Sequence, residues 1–202
     1  MSLTSNRSAI LFIVMLLLSF LTATRGAADD QSTRDRRYRQ LHEKRQTILD
    51  AFQRDLESVQ NWCNEHDLPD AESEVAALAL KIRAPDSDSA PSKFVTLPVS
   101  KSLPLDDQQW QLQLRHHREE RAKELYTLAR ATLKVGFPSM AFTMIGDVIR
   151  IDPDHKYARS ILGTQLFIDP SRKDDPEYAG EWVSAFEKQQ RSGSRPQIYH
   201  SE

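Results

Sequence analysis

Cysteine and glycine are both scarce in this sequence of 202 residues. Cys63 is the single cysteine, so the chain cannot close an internal disulfide. All six glycines are isolated, which excludes the glycine-rich loops that bind phosphates or dinucleotides. The GxSxG turn of serine hydrolases is absent as well. These absences exclude the common glycine-rich nucleotide-binding loops and the nucleophile turn of serine hydrolases.

Metal-binding patterns are incomplete. The sequence HEKRQ starts at His42 like the HExxH zinc helix, but Gln46 stands where the second histidine would be. His116 and Glu120 are four residues apart and share a helix face, yet no third ligand is near them in the sequence. An exposed ion-pair pattern explains this pair more simply than a metal does. We therefore predict no metal site and no cofactor.

Candidate nucleophiles and acid–base groups also have simpler explanations. His66 is one turn from Cys63, although packing beside Trp62 accounts for that cysteine more economically. The tetrapeptide DPDH, residues 152–155, reads as a turn in which Asp154 caps the next helix. We predict no catalytic residue, so the chain is not expected to be an enzyme.

Charge is nearly balanced, with 27 basic and 29 acidic residues. Nucleic-acid binding needs a concentrated basic face, and none is visible, because acidic residues are interspersed with the basic ones. We therefore expect no nucleic-acid partner.

The first thirty residues differ from the rest. The run Ala9–Ala23 is almost wholly apolar and follows the lone charge of Arg7. This predicts a secretory signal peptide over residues 1–26, cleaved after Gly26 or Ala28, and an exported protein in a periplasmic or extracellular space. The alternative is an uncleaved membrane anchor, but the run has 15 residues and a spanning helix needs about 20. Membrane contact is expected only through an uncleaved signal.

Apolar periodicity predicts an all-α fold for the remainder. We expect an N-terminal helical segment over 34–84 and a linker over 85–107, which is rich in proline and serine. A helical domain over 108–190 and a flexible tail over 191–202 follow.

The N-terminal segment should begin with one long helix, about 34–65. Its apolar stripe is interrupted by Arg45 and Asp55. Beyond it, the turn at Pro69 separates a second, short helix that ends before Pro85.

The C-terminal domain is expected to contain a run of helices. The first spans about 108–135 and ends at Gly136, a residue suited to the left-handed helix cap. Further helices are predicted over 139–151 and 156–167. A last short helix should cover the sequence EWVSAFEKQQ, residues 181–190.

The stretch 122–155 resembles a tetratricopeptide repeat, a helical hairpin of 34 residues. Pro153 takes the closing position, and Thr132 departs from the pattern, since a large apolar residue is usual there. A partial second unit, 156–167, starts in the same phase. The residues that match are Leu125, Leu128, Ala129, Gly136, Ala141, Ile145 and Val148 in the first unit and Leu162, Gly163 and Leu166 in the second.

This resemblance implies a protein-interaction or assembly role. The groove of that family, carried over by phase, predicts a binding face for an acidic or C-terminal peptide of a protein partner. A solvated helix face, with cations that favour the helix dipole, remains the alternative. The predicted binding residues are Lys123, Tyr126, Arg130, Lys134 and Tyr157.

The whole sequence thus predicts an exported, non-catalytic interaction module built on a TPR-like helical hairpin. The alternative is the N-terminal non-catalytic portion of a larger exported enzyme or envelope protein. A lone repeat leaves apolar surface on both sides, so neighbouring segments or a second copy in a homo-oligomer must cover it.

Overall fold

The computed structural model describes the backbone of residues 5–83 and 92–192, and side chains from residue 31 onward within those ranges. The side chains of the predicted signal peptide therefore lie outside the described residues. So do residues 85–91 of the predicted linker and 193–202 of the predicted tail. The chain forms two compact units, Met1–Glu43 and Lys44–Glu202.

The long helix α1 (Ser5–Glu65) begins in the first unit, so its predicted start at about residue 34 is wrong, although its predicted end at residue 65 is right. Side chains 31–40 are all exposed. Within the described residues, no helix combines the length and the apolar character needed to cross a membrane.

The second unit is mostly helical, and the predicted all-α fold class is confirmed. Its only sheet among the described residues has two antiparallel strands. After α1, the elements are α2 (Pro69–Arg83), α3 (Leu105–Lys134), α4 (Pro138–Ile151), α5 (Lys156–Ile161), β1 (Thr164–Phe167), β2 (Glu181–Ser184) and α6 (Ala185–Arg191).

Helices α3 and α4 form a hairpin around Gly136. That glycine has φ +88°, as expected for a left-handed cap. Its N–H donates to the carbonyl of Leu133 at 3.1 Å, and the N–H of Phe137 donates to that of Thr132 at 3.2 Å. These two bonds form a Schellman motif, which ends α3, and Pro138 then opens α4 at a position where it needs no N–H partner.

Most buried residues of the hairpin are apolar, and the exceptions are Thr132 of α3 and Asp147 of α4. The side chain of Thr132 is fully buried, and its Oγ1 donates to the sulfur of Met144 at 3.6 Å. The polar residue at this otherwise apolar position is therefore satisfied by a soft acceptor on the facing helix. The buried apolar residues include Ala122, Leu125, Ala129, Ala141, Ile145 and Val148.

Helix α1 packs on this hairpin through its second half. Phe52, Leu56 and Val59 are completely or almost completely buried. The two polar residues that interrupt the apolar stripe of α1 also point inward and make ion pairs. Arg45 Nε donates to Asp147 of α4 at 2.6 Å, and Asp55 accepts from Arg121 Nε of α3 at 2.7 Å.

Helix α2 packs against α1 and ends before Pro85, as predicted. Gln53 Nε2 of α1 donates to the carbonyl of Ala79 at 3.2 Å. Arg83, the last residue of α2, donates to Gln53 and Glu57 of α1. Segments outside the hairpin thus cover one of its faces.

The helix predicted over 156–167 is wrong beyond Ile161. The chain turns at Gly163, which has φ +76°, and Thr164–Phe167 then forms strand β1. That strand pairs with β2 in antiparallel register. Pairing with a strand distant in sequence overrides the local helical pattern, as it often does for short segments.

The last predicted helix is also wrong over its first four residues. Glu181–Ser184 is strand β2, and the helix starts only at Ala185, where the Ser184 hydroxyl caps it by accepting from Glu187 N at 3.1 Å. Trp182 is buried on β2, whereas Phe186 is 64% exposed on α6.

Residues 92–97, named here the strap, run along β2. Trp182 N–H donates to the carbonyl of Lys93 at 2.7 Å, and Val95 N–H donates to that of Gly180 at 3.0 Å. Within this stretch of the predicted linker, Phe94 and Glu181 form an isolated antiparallel bridge.

Candidate functional site

Four of the five predicted binding residues lie on a single face of α3. Lys123, Tyr126, Arg130 and Lys134 follow one another at steps of three and four residues, which places them along one stripe. The three cationic side chains are exposed and the tyrosine is half-buried. The opposite side of α3 is anchored in the hairpin interior, so the stripe is presented on a packed helix.

Tyr157, the fifth predicted residue, joins this stripe from α5. Its ring centroid lies 6.0 Å from that of Tyr126, with the planes 22° apart, and its side chain is 70% exposed. The structure thus brings all five residues together on one surface. We call this surface the α3–α5 face.

His155 belongs to the same cluster, although the sequence analysis placed it in a turn and not among the predicted binding residues. Its ring centroid is 4.9 Å from Tyr126 and 6.3 Å from Tyr157. Burial lowers the pKa of His155 below its ordinary value, while the nearby Asp152 carboxylate acts in the opposite direction. The available sequence signal was its place directly before the first residue of α5, where capping side chains stand.

The expected capping role of Asp154 is wrong, and His155 takes it instead. The imidazole Nδ1 accepts from the backbone N–H of Ala158 at 3.2 Å. Both carboxylate oxygens of Asp154 bind elsewhere, one to Trp182 Nε1 and the other to Thr96 N, each at 2.9 Å. The carboxylate therefore ties the turn after α4 to both the strap and β2.

Arg159 reinforces this attachment. Its Nε donates to the carbonyl of Pro153 and its Nη2 to that of Ser92, both at 2.6 Å. The guanidinium also lies 5.4 Å from the ring centroid of Trp182. Burial lowers the pKa of Arg159, whereas Asp154 and Asp152 raise it. These contacts hold α5, and with it Tyr157, against the rest of the unit.

Asp152 in the turn after α4 and Arg118 of α3 are two further desolvated charges. Burial raises the pKa of Asp152, although its carboxylate accepts from Asp154 N at 3.0 Å. Burial lowers the pKa of Arg118, and its Nε atom is buried without a hydrogen-bond partner among the described residues. The Asp152 carboxylate acts against burial by raising the pKa of Arg118, and no direct ion pair joins the two side chains among the described residues. This arrangement fits a structural role under the α3–α5 face.

The groups considered for metal binding or nucleophilic chemistry are separate from this face. His116 and Glu120 are 3.9 Å apart on exposed side chains. No group of three metal-ligating side chains is found within the described residues. Cys63 is buried, and burial raises the pKa of its thiol. His66 stacks on Trp62 at 3.8 Å and bonds to its carbonyl, so its ring is engaged there.

A separate pocket of about 470 Å³ lies between β1 and α6. None of the predicted binding residues lines it. Of its two cations, Lys188 and Arg191, the second is already bound to Glu181 at 2.9 Å and to Glu187 at 2.6 Å. The lining residues are Leu166, Phe167, Ile168, Pro170, Lys188, Arg191 and Ser192.

Comparisons with protein-family models, with curated proteins and with solved structures found no match to this chain.

Proposed function

We propose that this chain is an exported, non-catalytic protein-interaction module that binds an acidic peptide segment of a protein partner on the α3–α5 face. The hairpin that carries the face is TPR-like in this proposal. The observation that supports it is the combination of three exposed cations with two stacked tyrosines on one face.

The charges on this face favour an acidic partner. No ion pair of Lys123, Arg130 or Lys134 is recorded within the described part of the chain. Elsewhere on α3, Arg121 is bonded to Asp55 and Glu124. A carboxylate-rich peptide would provide counter-charges for the three cations, and each charge-assisted hydrogen bond is worth about 1.5–3 kcal/mol.

The stacked tyrosines add an apolar contact of defined shape. Tyr126 and Tyr157 offer ring surface at low conformational cost, because each side chain has only two rotatable angles. A peptide that follows α3 would place carboxylates near Arg130 and Lys134 and an apolar side chain near the rings.

The binding proposal is tested with a fluorescently labelled acidic decapeptide that has a free carboxyl end, and with a lysine-rich peptide of equal length. We expect the double variant Arg130→Ala/Lys134→Ala to bind the acidic peptide about tenfold more weakly, which corresponds to about 1.4 kcal/mol. Fluorescence anisotropy measures both affinities, and added salt should weaken binding.

The matched control removes two exposed cations away from the face, by Arg54→Ala/Lys81→Ala. This variant has the same net charge as the first and should retain the wild-type affinity. Equal losses in both double variants would indicate nonspecific charge attraction and would reject the α3–α5 face.

Export is supported by the apolar run Ala9–Ala23. Protein recovered from a secreting host should begin at Ala27 or Asp29, as measured by intact mass. A membrane-bound chain that keeps Met1 would overturn the cleavage part of the proposal.

A further inference from the structure

The N-cap position of helix α5 is occupied by a histidine, whereas most helices have Ser, Thr, Asp or Asn there. His155 immediately precedes the helix, and its Nδ1 accepts from Ala158 N–H at 3.2 Å. Helix α6, by contrast, is capped by the hydroxyl of Ser184. The cap of α5 can therefore change its protonation state near neutral pH, whereas a serine cap cannot.

Protonation of Nδ1 and the capping bond exclude each other. A neutral imidazole can accept at Nδ1 while Nε2 carries the proton, but both nitrogens are donors in the imidazolium. A positive charge at the start of a helix is also disfavoured by the helix dipole. The protonated His155 thus loses its bond to Ala158 N–H and faces a repulsive field.

The surroundings of His155 favour the neutral form at pH 7. The ring packs against Tyr126 and Tyr157, and burial opposes the charge more than Asp152 favours it. The titratable and charged groups nearest to it in the fold or the sequence are Tyr126 on α3, Asp152 and Asp154 in the turn after α4, and Lys156, Tyr157 and Arg159 on α5.

We propose that His155 is a proton-sensitive cap that opens the α3–α5 face in acid. When the imidazole takes up a proton, the first turn of α5 loosens and Tyr157 separates from Tyr126. Release of a bound peptide in acid is the consequence for binding, and only that consequence rests on the proposed function.

The direction of the effect follows from proton linkage. The pKa of His155 in the folded chain lies below its ordinary value of 6.5, so the unfolded state takes up the proton first. The stabilisation by the neutral cap is therefore complete above about 6.5 and is lost as the pH falls through the lower folded value.

The test is NMR spectroscopy of the intact protein from about pH 8 to about pH 5, the range in which histidine titrates. The His155 ring should titrate with a midpoint below 6.5. Over the same range, the hydrogen-exchange protection of the Ala158 amide should fall about tenfold or more, after correction for intrinsic exchange. The cross-peaks between the Tyr126 and Tyr157 rings should weaken together with it.

The decisive variant is His155→Asn, because asparagine accepts the capping bond and does not titrate. Its Ala158 protection should stay constant across the pH range, and His155→Ser serves as a second capping variant. His116→Asn, which removes an exposed histidine on α3, should behave like wild type.

Two outcomes would overturn the proposal. One is a wild-type Ala158 amide whose protection stays constant while His155 titrates. The other is a loss of protection in acid that persists in His155→Asn. These measurements need no peptide, so their failure is distinguishable from a failure of the binding proposal.

Discussion

At the scale of single residues, the buried ion pairs show why α1 carries charges within its apolar stripe. Asp147 is 1% exposed and lies between Arg45 of α1 and Arg150 of its own helix. A buried ion pair often contributes little net stability compared with apolar residues, but removing one partner leaves an uncompensated charge. Such pairs define which residues of two helices meet.

We predict that Asp147→Ala lowers the free energy of unfolding by about 2–3 kcal/mol. The expected loss is smaller than the roughly 3–5 kcal/mol for breaking a fully buried pair, because the Arg45 side chain is still 18% exposed to solvent. Urea denaturation measures the change. Asp50→Ala is the control, since Asp50 is exposed and accepts a hydrogen bond from Gln46 on its own helix. A loss in Asp147→Ala no larger than in the control would contradict this account.

At the scale of elements, the α3–α4 hairpin depends on small residues where its helices touch. Ala141 is 5% exposed, whereas Phe142, the next residue on α4, is 59% exposed. The short side chain lets the two helices approach each other, so a long side chain has no space at that position.

We therefore predict that Ala141→Arg lowers the free energy of unfolding by about 3 kcal/mol or more, through overpacking and a buried charge. Phe142→Arg introduces the same side chain at the next, exposed position and should change the free energy of unfolding by less than about 1 kcal/mol. Thermal unfolding followed by circular dichroism compares the two variants. Equal melting temperatures would show that Ala141 is not at a tight helix contact.

At the scale of the whole molecule, the hairpin is completed by chain segments on both sides in sequence. Residues 44–65 of α1 contribute Phe52 and Leu56 to the core and Arg45 to Asp147. The strap and β2 hold the turn after α4 through Asp154. One helical hairpin alone buries too little apolar area to be stable.

We predict that a fragment of residues 122–153 is largely unfolded and that residues 44–192 melt cooperatively. A fragment of residues 108–190 should keep helical content but melt at a lower temperature with poor cooperativity, because it lacks α1 and the strap. Circular dichroism melts of the three fragments measure these differences. Cooperative melting of 108–190 at the temperature of 44–192 would show that α1 is dispensable.

The sequence by itself determined the helical class and most helix boundaries. Periodicity located the ends of α1 at Glu65 and α4 at Ile151, and it anticipated the glycine cap at Gly136. It also identified Leu125 and Ala141 among the buried residues. These features depend on neighbours within about one helical turn, and local patterns report such neighbours directly.

Only the tertiary structure decided which distant groups meet. Arg45 pairs with Asp147, which lies 102 residues away in the sequence, and strand β1 forms because β2 pairs with it. The stacking of Tyr157 on Tyr126, and the exchange of the capping role from Asp154 to His155, likewise depend on segments that come together only in the folded chain. Such contacts follow from three-dimensional packing, and packing overrides local propensity wherever a short segment finds a partner far along the sequence.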